Sequence, residues 1–113
     1  MKPGGRRNKF NAKKQTIDGI TFDSKAEATF YATLKIRQRA GEILDVLCHP
    51  PFPITAHGKK ICTYKPDFTF YEVGQERIRY VDVKAPPTAQ RRDFRLVKKL
   101  FEAQYGVELE IVF

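Results

Sequence analysis

The stretch from residue 61 to residue 84 most limits what this chain can become. Three short runs, residues 61–64, 67–73 and 77–84, alternate apolar with polar side chains, the two-residue period of half-buried strands. A turn near Gly74-Gln75 separates the last two runs. Pro86-Pro87 then halts the third, because proline has no N–H to offer a ladder. The period changes at once. Over about residues 88–105, Phe94, Val97, Leu100, Phe101 and Tyr105 fall on one helical face and the basic residues on the other. Thr88 reads as the cap of this helix and Gly106 as its terminator, and residues 107–113 form a last apolar strand. The layout is α/β, a small central mixed sheet flanked by helices.

The first half of the chain supplies the remaining elements. Asp18-Gly19 between residues 14–17 and 20–22 is the turn dipeptide of a tight hairpin. Ser24 followed by Glu27 has capping-box spacing, Phe30, Tyr31 and Leu34 make an apolar stripe, and Gly41 ends that helix. Residues 43–47 read as a strand running into Pro50-Pro51-Phe52-Pro53, where proline disfavours central pairing, and His57-Gly58-Lys59 reads as a loop. Residues 1–12 form a basic flexible arm, and residues 13–113 are enough for one domain with one modest core.

The net charge of +8 points to polyanionic partners. Lys2, Arg6, Arg7, Lys9, Lys13 and Lys14 stand in the first fourteen residues with no acid among them, and Arg91, Arg92, Arg95, Lys98 and Lys99 form a second cluster. Either cluster alone reads equally well as a solvated face; two in so small a chain point to the nucleic-acid backbone. No run is apolar enough for a membrane span or a signal peptide, so a cytoplasmic chain without a membrane partner is expected. Cys48, His49, His57 and Cys62 lack the close cysteine pair of a structural zinc site, and adjacent strand residues such as Cys48 and His49 point to opposite faces.

Asp82 and Lys84 sit two apart on a strand and project from one face, while Val83 points into apolar packing. Asp67 opens the preceding strand directly after Pro66. Pairing of these strands around Gly74 sets the two carboxylates side by side, an arrangement that calls for a cation or a proton between them. Hard oxygen donors suit Mg²⁺ or Mn²⁺, and a neighbouring lysine can hold the attacking water or neutralise transition-state charge. The plain alternative is an edge-strand polar face with Asp67 bonding a backbone N–H. Glu27 likewise has two readings, as a capping-box partner of Ser24 or as a carboxylate on the core-facing edge of its helix.

Pro66-Asp67, fourteen residues, then Asp82-Val83-Lys84 resembles the signature of the PD-(D/E)XK nuclease superfamily. The wider pattern, FDSKAEATFY, YKPDF and YVDVKA, resembles a group of small phage-encoded proteins placed there. The resemblance runs from about Lys9 to Phe113 and implies a restriction-endonuclease-like core of helix, three strands, helix and strand. It implies Mg²⁺ bound by Asp67, Asp82 and the Val83 carbonyl, with Glu27 joining the site and Lys84 assisting. It further implies contact of Gln90 and Arg91 with the scissile phosphate, and DNA products with 5′-phosphate and 3′-hydroxyl ends. A structure-specific endonuclease acting on branched DNA, such as a Holliday junction in phage recombination, would need paired cuts and hence a C2 homodimer. Two alternatives stay open: a non-catalytic basic module that binds nucleic acid, and a nuclease subunit that a partner completes.

Overall fold

The computed structural model describes residues 14–89 and 91–113. The arm, with Arg6, Arg7, Lys9 and Lys13, and the phosphate contact assigned to Gln90 therefore lie outside the described residues. The chain opens with a hairpin of β1 (Gln15–Ile17) and β2 (Ile20–Phe22). Asp18 and Gly19 take φ values of 54° and 77°, the doubly left-handed turn that Asp-Gly accommodates at little cost. Helix α1 (Lys25–Arg39) follows, with the Ser24 hydroxyl accepting the Glu27 backbone N–H at 3.1 Å. Glu27, Ala28, Tyr31 and Leu34 are its buried residues, one stripe at helical spacing. Gly41, at φ 80°, lets the chain reverse after the helix.

The central sheet has the order β3-β6-β7-β8, from β3 (Ile43–Cys48), β6 (Phe68–Glu72), β7 (Arg77–Val83) and β8 (Leu109–Val112). The first three strands pair antiparallel, and β8 lies parallel to β7. A parallel partner needs a crossover, which the helical segment between β7 and β8 supplies. In β3 the register slips between Leu44 and Leu47, where Asp45 adopts φ 55°. The strand carries an extra residue there relative to β6, a β-bulge.

Helix α1 covers one face of the sheet, and its cluster includes Phe22, Tyr31, Leu34, Ile43, Phe68, Phe70 and Val81. Each of these large side chains contributes roughly 1.5–3 kcal/mol by leaving water. The opposite face is covered over part of its width. There the second long helix packs Phe101 with Leu109 and with Ile54 from a hairpin of β4 (Phe52–Ala56) and β5 (Lys59–Tyr64). Leu44, Leu47 and Ile78 remain exposed beside it. Among the described residues no helix is long and apolar enough to cross a membrane.

Two expectations need correction. The helix expected over residues 88–105 is divided: Pro86–Ala89 forms one short turn, α2, and α3 spans Arg92–Tyr105. The backbone at Arg91 is extended (ψ 140°), so the long helix starts afresh there without the Thr88 cap. Leu100 is exposed instead of sharing the buried face, which centres on Phe101, while the partly exposed Tyr105 ring still packs on Phe52 and Phe101. The proline-rich segment stays out of the central sheet as expected, but it forms a strand that the sequence does not mark: among the described residues β4 pairs with β5 alone, so Pro53 sits in a two-stranded ribbon. The turn at its tip, His57 and Gly58, repeats the doubly positive φ pattern (49° and 80°).

At the β6–β7 turn end of the sheet, buried Glu72 lies between two arginines, 2.5 Å from Arg37 and 2.9 Å from Arg79. Arg37 also pairs with Glu42, and Arg79 with Glu110. Burial raises the Glu72 carboxyl, but hydrogen bonds from Arg79 and Arg37 outweigh it and hold the group below the usual carboxylate range.

A candidate active site at the other end of the sheet

Phe68 and Val81 are the last paired residues of β6 and β7, and Asp67 and Asp82 stand one step beyond them. The two aspartates are tied reciprocally. The Asp67 backbone N–H donates to Asp82 Oδ1 at 2.8 Å, and the Val83 N–H donates to Asp67 Oδ2 at 2.8 Å. Side-chain oxygens thus take over where the ladder stops. Tyr64, the last residue of β5, donates its hydroxyl to Asp82 Oδ2. Asp82 is 1% exposed, so this carboxylate lives almost wholly on protein partners.

Lys84 follows β7, and its Nζ lies 3.7 Å from Asp82 Oδ2. The Phe94 ring, on α3, stands 4.8 Å from the same ammonium. A cation over an aromatic face is attracted by the ring quadrupole. Glu27 enters from the first turn of α1. Its side chain is 8% exposed, and its carboxyl group lies against that of Asp67. Ser24 caps the helix through the Glu27 backbone, while the return bond of a capping box is not formed. The carboxylate points instead at His49, whose Nε2 lies 3.7 Å from Glu27 Oε2 and 3.5 Å from Asp67 Oδ1. His49 is anchored by its own backbone, with its N–H donating to the Asp67 carbonyl at 3.0 Å.

The electrostatics follow from crowding. Burial first, then the charge of Asp82, pushes the Asp67 carboxyl up to about 7, against the pull of the Val83 N–H. Burial and the Asp82 charge likewise drive the Tyr64 hydroxyl far above its ordinary range, so it stays a proton donor. Glu27, His49 and Asp67 each offer one donor atom, all within 4.8 Å of one another. Asp82 is not in that group, because its oxygens are turned toward the Asp67 N–H and Tyr64.

The structure therefore brings Glu27, Asp67, Asp82, Val83 and Lys84 to one place. The basic residues spread further out. Arg92, Arg95, Lys98 and Lys99 border an open cleft of about 650 Å³ that also includes Phe94, so it adjoins the Lys84 side of the site. Lys98 is bound to Glu102 at 3.0 Å, and Arg91 faces Asp93 at 3.3 Å. Arg92, Arg95 and Lys99 are exposed. Lys14 is exposed as well, 3.7 Å from Asp23.

Sequence reasoning misses His49 and Tyr64. In the sequence His49 reads only as a companion of the cysteines, which are free thiols. The signal that points to Tyr64 is its place three residues before Asp67 in the same short segment. A family model described as a protein of unknown function (DUF1064) matches residues 7–112. The chain belongs to that family. Comparison with curated proteins and with solved structures gives no match.

Proposed function

We propose that the chain is a metal-dependent DNA endonuclease of the PD-(D/E)XK kind. The observation that carries the reading is the direct opposition of buried Asp67 and Asp82 at a strand end, with Lys84 on the same side. The element order gives further support. Helix α1, antiparallel β3, β6 and β7, helix α3 and parallel β8 correspond to the helix, three strands, helix and strand of a restriction-endonuclease-like core. The β4–β5 hairpin is then an insertion between the first two core strands.

The donors fit a hard divalent cation. Two carboxylates share a mostly buried site, burial and the charge of Asp82 raise the Asp67 carboxyl, and Glu27 adds a third carboxyl group against Asp67. Asp67, Glu27, the Val83 carbonyl and Asp82, the last through a lone pair that its bonds to the Asp67 N–H and Tyr64 leave free, would hold Mg²⁺ or Mn²⁺, which when bound lowers the pKa of a water and polarises the phosphate. The protein's own groups do the rest. Lys84, steadied over Phe94, supplies positive charge where negative charge grows on the phosphoryl oxygens. Tyr64 fixes the orientation of Asp82. Arg92, Arg95 and Lys99 hold neighbouring phosphates without reading sequence, and Arg91 and Lys98 do so only by leaving their carboxylate partners.

Branched DNA in phage recombination or processing, inside the host cytoplasm, is the substrate setting this reading favours. Paired cuts would place two copies about a two-fold axis, and the exposed Leu44, Leu47 and Ile78 face is an apolar surface suited to that contact. The test is cleavage of labelled linear duplex, single strand, flap and four-way junction with Mg²⁺, Mn²⁺ or EDTA. Divalent-dependent cutting is expected, and Asp82→Ala or Lys84→Ala reduces it to background without unfolding the chain. Cutting at the wild-type rate by either variant refutes the site. Binding without cutting in any metal moves the assignment to a non-catalytic module, unless a partner protein restores cleavage.

A further inference from the structure

We infer that His49 is a metal ligand, its Nε2 joining Glu27 and Asp67 on one divalent ion and giving the site a preference for first-row transition metals over Mg²⁺. The inference takes its setting from the nuclease reading, but its evidence is separate. The Nε2 separations of 3.5 Å and 3.7 Å from the two carboxylate oxygens are too long for hydrogen bonds. They match neighbouring ligands placed around one ion at roughly 2.1 Å from each.

An imidazolium serving only as counter-charge would close on one carboxylate to about 2.7–2.9 Å. Here the nitrogen stands between two acids and bonds to neither. Glu27 supplies the second observation. Its side chain is more than nine-tenths buried and aimed at this point, where its neighbours are the Asp67 carboxyl and the His49 ring. Two buried carboxyls set against each other repel unless a proton or a cation lies between them, and a bound cation meets both at once.

The backbone holds the imidazole in position. His49 takes φ 55°, which few non-glycine residues adopt, and its N–H is bound to the Asp67 carbonyl. The ligand therefore follows the strand that carries Asp67 and does not hang on a free loop. Chemically, a nitrogen donor changes the selection. An all-oxygen set suits Mg²⁺ and Mn²⁺ alike, whereas an imidazole nitrogen disfavours Mg²⁺ and raises affinity along the first transition row, of which Mn²⁺ is the first and a paramagnetic member.

The experiment is calorimetric titration of the full chain with MnCl₂ and, separately, MgCl₂. It is joined to pulsed electron paramagnetic resonance of the Mn²⁺-loaded protein, read for ¹⁴N coupling. We expect Mn²⁺ to bind at least about tenfold more tightly than Mg²⁺ and to show imidazole nitrogen coupling. His49→Ala should lose at least about tenfold in Mn²⁺ affinity, with a smaller loss for Mg²⁺, and should lose the coupling. Mn²⁺ bound without nitrogen coupling overturns the inference. So does a variant that binds Mn²⁺ equally or better, as removal of a mere counter-charge would give. Should His49→Ala fail to fold, the wild-type spectrum alone decides. Nitrogen coupling without DNA cleavage keeps His49 and defeats the nuclease reading; cleavage without nitrogen coupling does the reverse.

Discussion

The two ends of the central sheet bury acidic residues in opposite ways. At the turn end, Glu72 is buried between Arg37 and Arg79, and Arg79 continues to Glu110. Every buried charge there has a guanidinium, and the Glu72 and Glu110 carboxyls lie below their usual range. At the other end, Glu27, Asp67 and Asp82 gather around one lysine and one histidine, and the Asp67 carboxyl is raised to about 7. The same strands hold both sites, so strand placement does not explain the difference. Partner chemistry does. One end is electrostatically complete as folded, and the other is short of positive charge.

Removing one acid from each end should break this symmetry most visibly. Glu72→Ala leaves two partly buried arginines facing each other, and we expect a loss of about 2 kcal/mol in metal-free unfolding. Asp67→Asn keeps an oxygen for the Val83 N–H while removing one of the crowded charges. It should leave stability unchanged or raise it by up to about 1 kcal/mol at pH 8. Chemical denaturation in EDTA measures both. Destabilisation of equal size at the two ends would mean that the site end is also electrostatically complete.

The pH profile sharpens the contrast. With its folded pKa raised from an ordinary value of 3.8 to about 7, Asp67 keeps a proton that the unfolded chain has released. Its contribution therefore falls as pH rises through that interval. Glu72 and Glu110, with lowered values, act in the opposite sense: their contribution is present above the unfolded pKa and is lost as pH falls through the folded one. Melting temperature in EDTA should thus drop on both flanks. Added divalent ion should lift only the neutral and alkaline flank, because the ion competes with the proton at the carboxylates. A flank that does not respond to the ion would argue against binding there. The smallest effect is expected on the cleft. Arg95→Ala should reduce the slope of log affinity for DNA against log salt by about 1 and leave the cutting step intact.

Much of this organisation is legible in the order of the residues. Asp18-Gly19, Ser24 and Gly106 each announce a backbone geometry through their own chemistry, and each occurs where expected. Asp67, Asp82 and Lys84 are legible because a two-residue period and one turn bring them together. What escapes a linear reading depends on contacts between segments. Nothing local in Pro86-Pro87-Thr88 reveals that the chain re-extends at Arg91 before α3. The prolines conceal β4, since pairing in a two-stranded ribbon tolerates what a central strand does not. His49 and Tyr64 reach the site through the pairing of β3 with β6 and through the return of the β4–β5 hairpin. Glu72 looks like any surface acid because its arginines are distant in sequence.

The bulge at Asp45 makes β3 a counting device. Ile43 and Cys48 both pack against the α1 core although they are five residues apart, a spacing that a regular strand would send to opposite faces. The extra residue restores the phase, so that Cys48 turns inward and His49 arrives beside Asp67. Between Ile43 and His49, chain length is therefore the constrained quantity, more than the identity of any intervening side chain. A deletion of one residue there would put core and site out of step, each able to recover its place only at the other's expense.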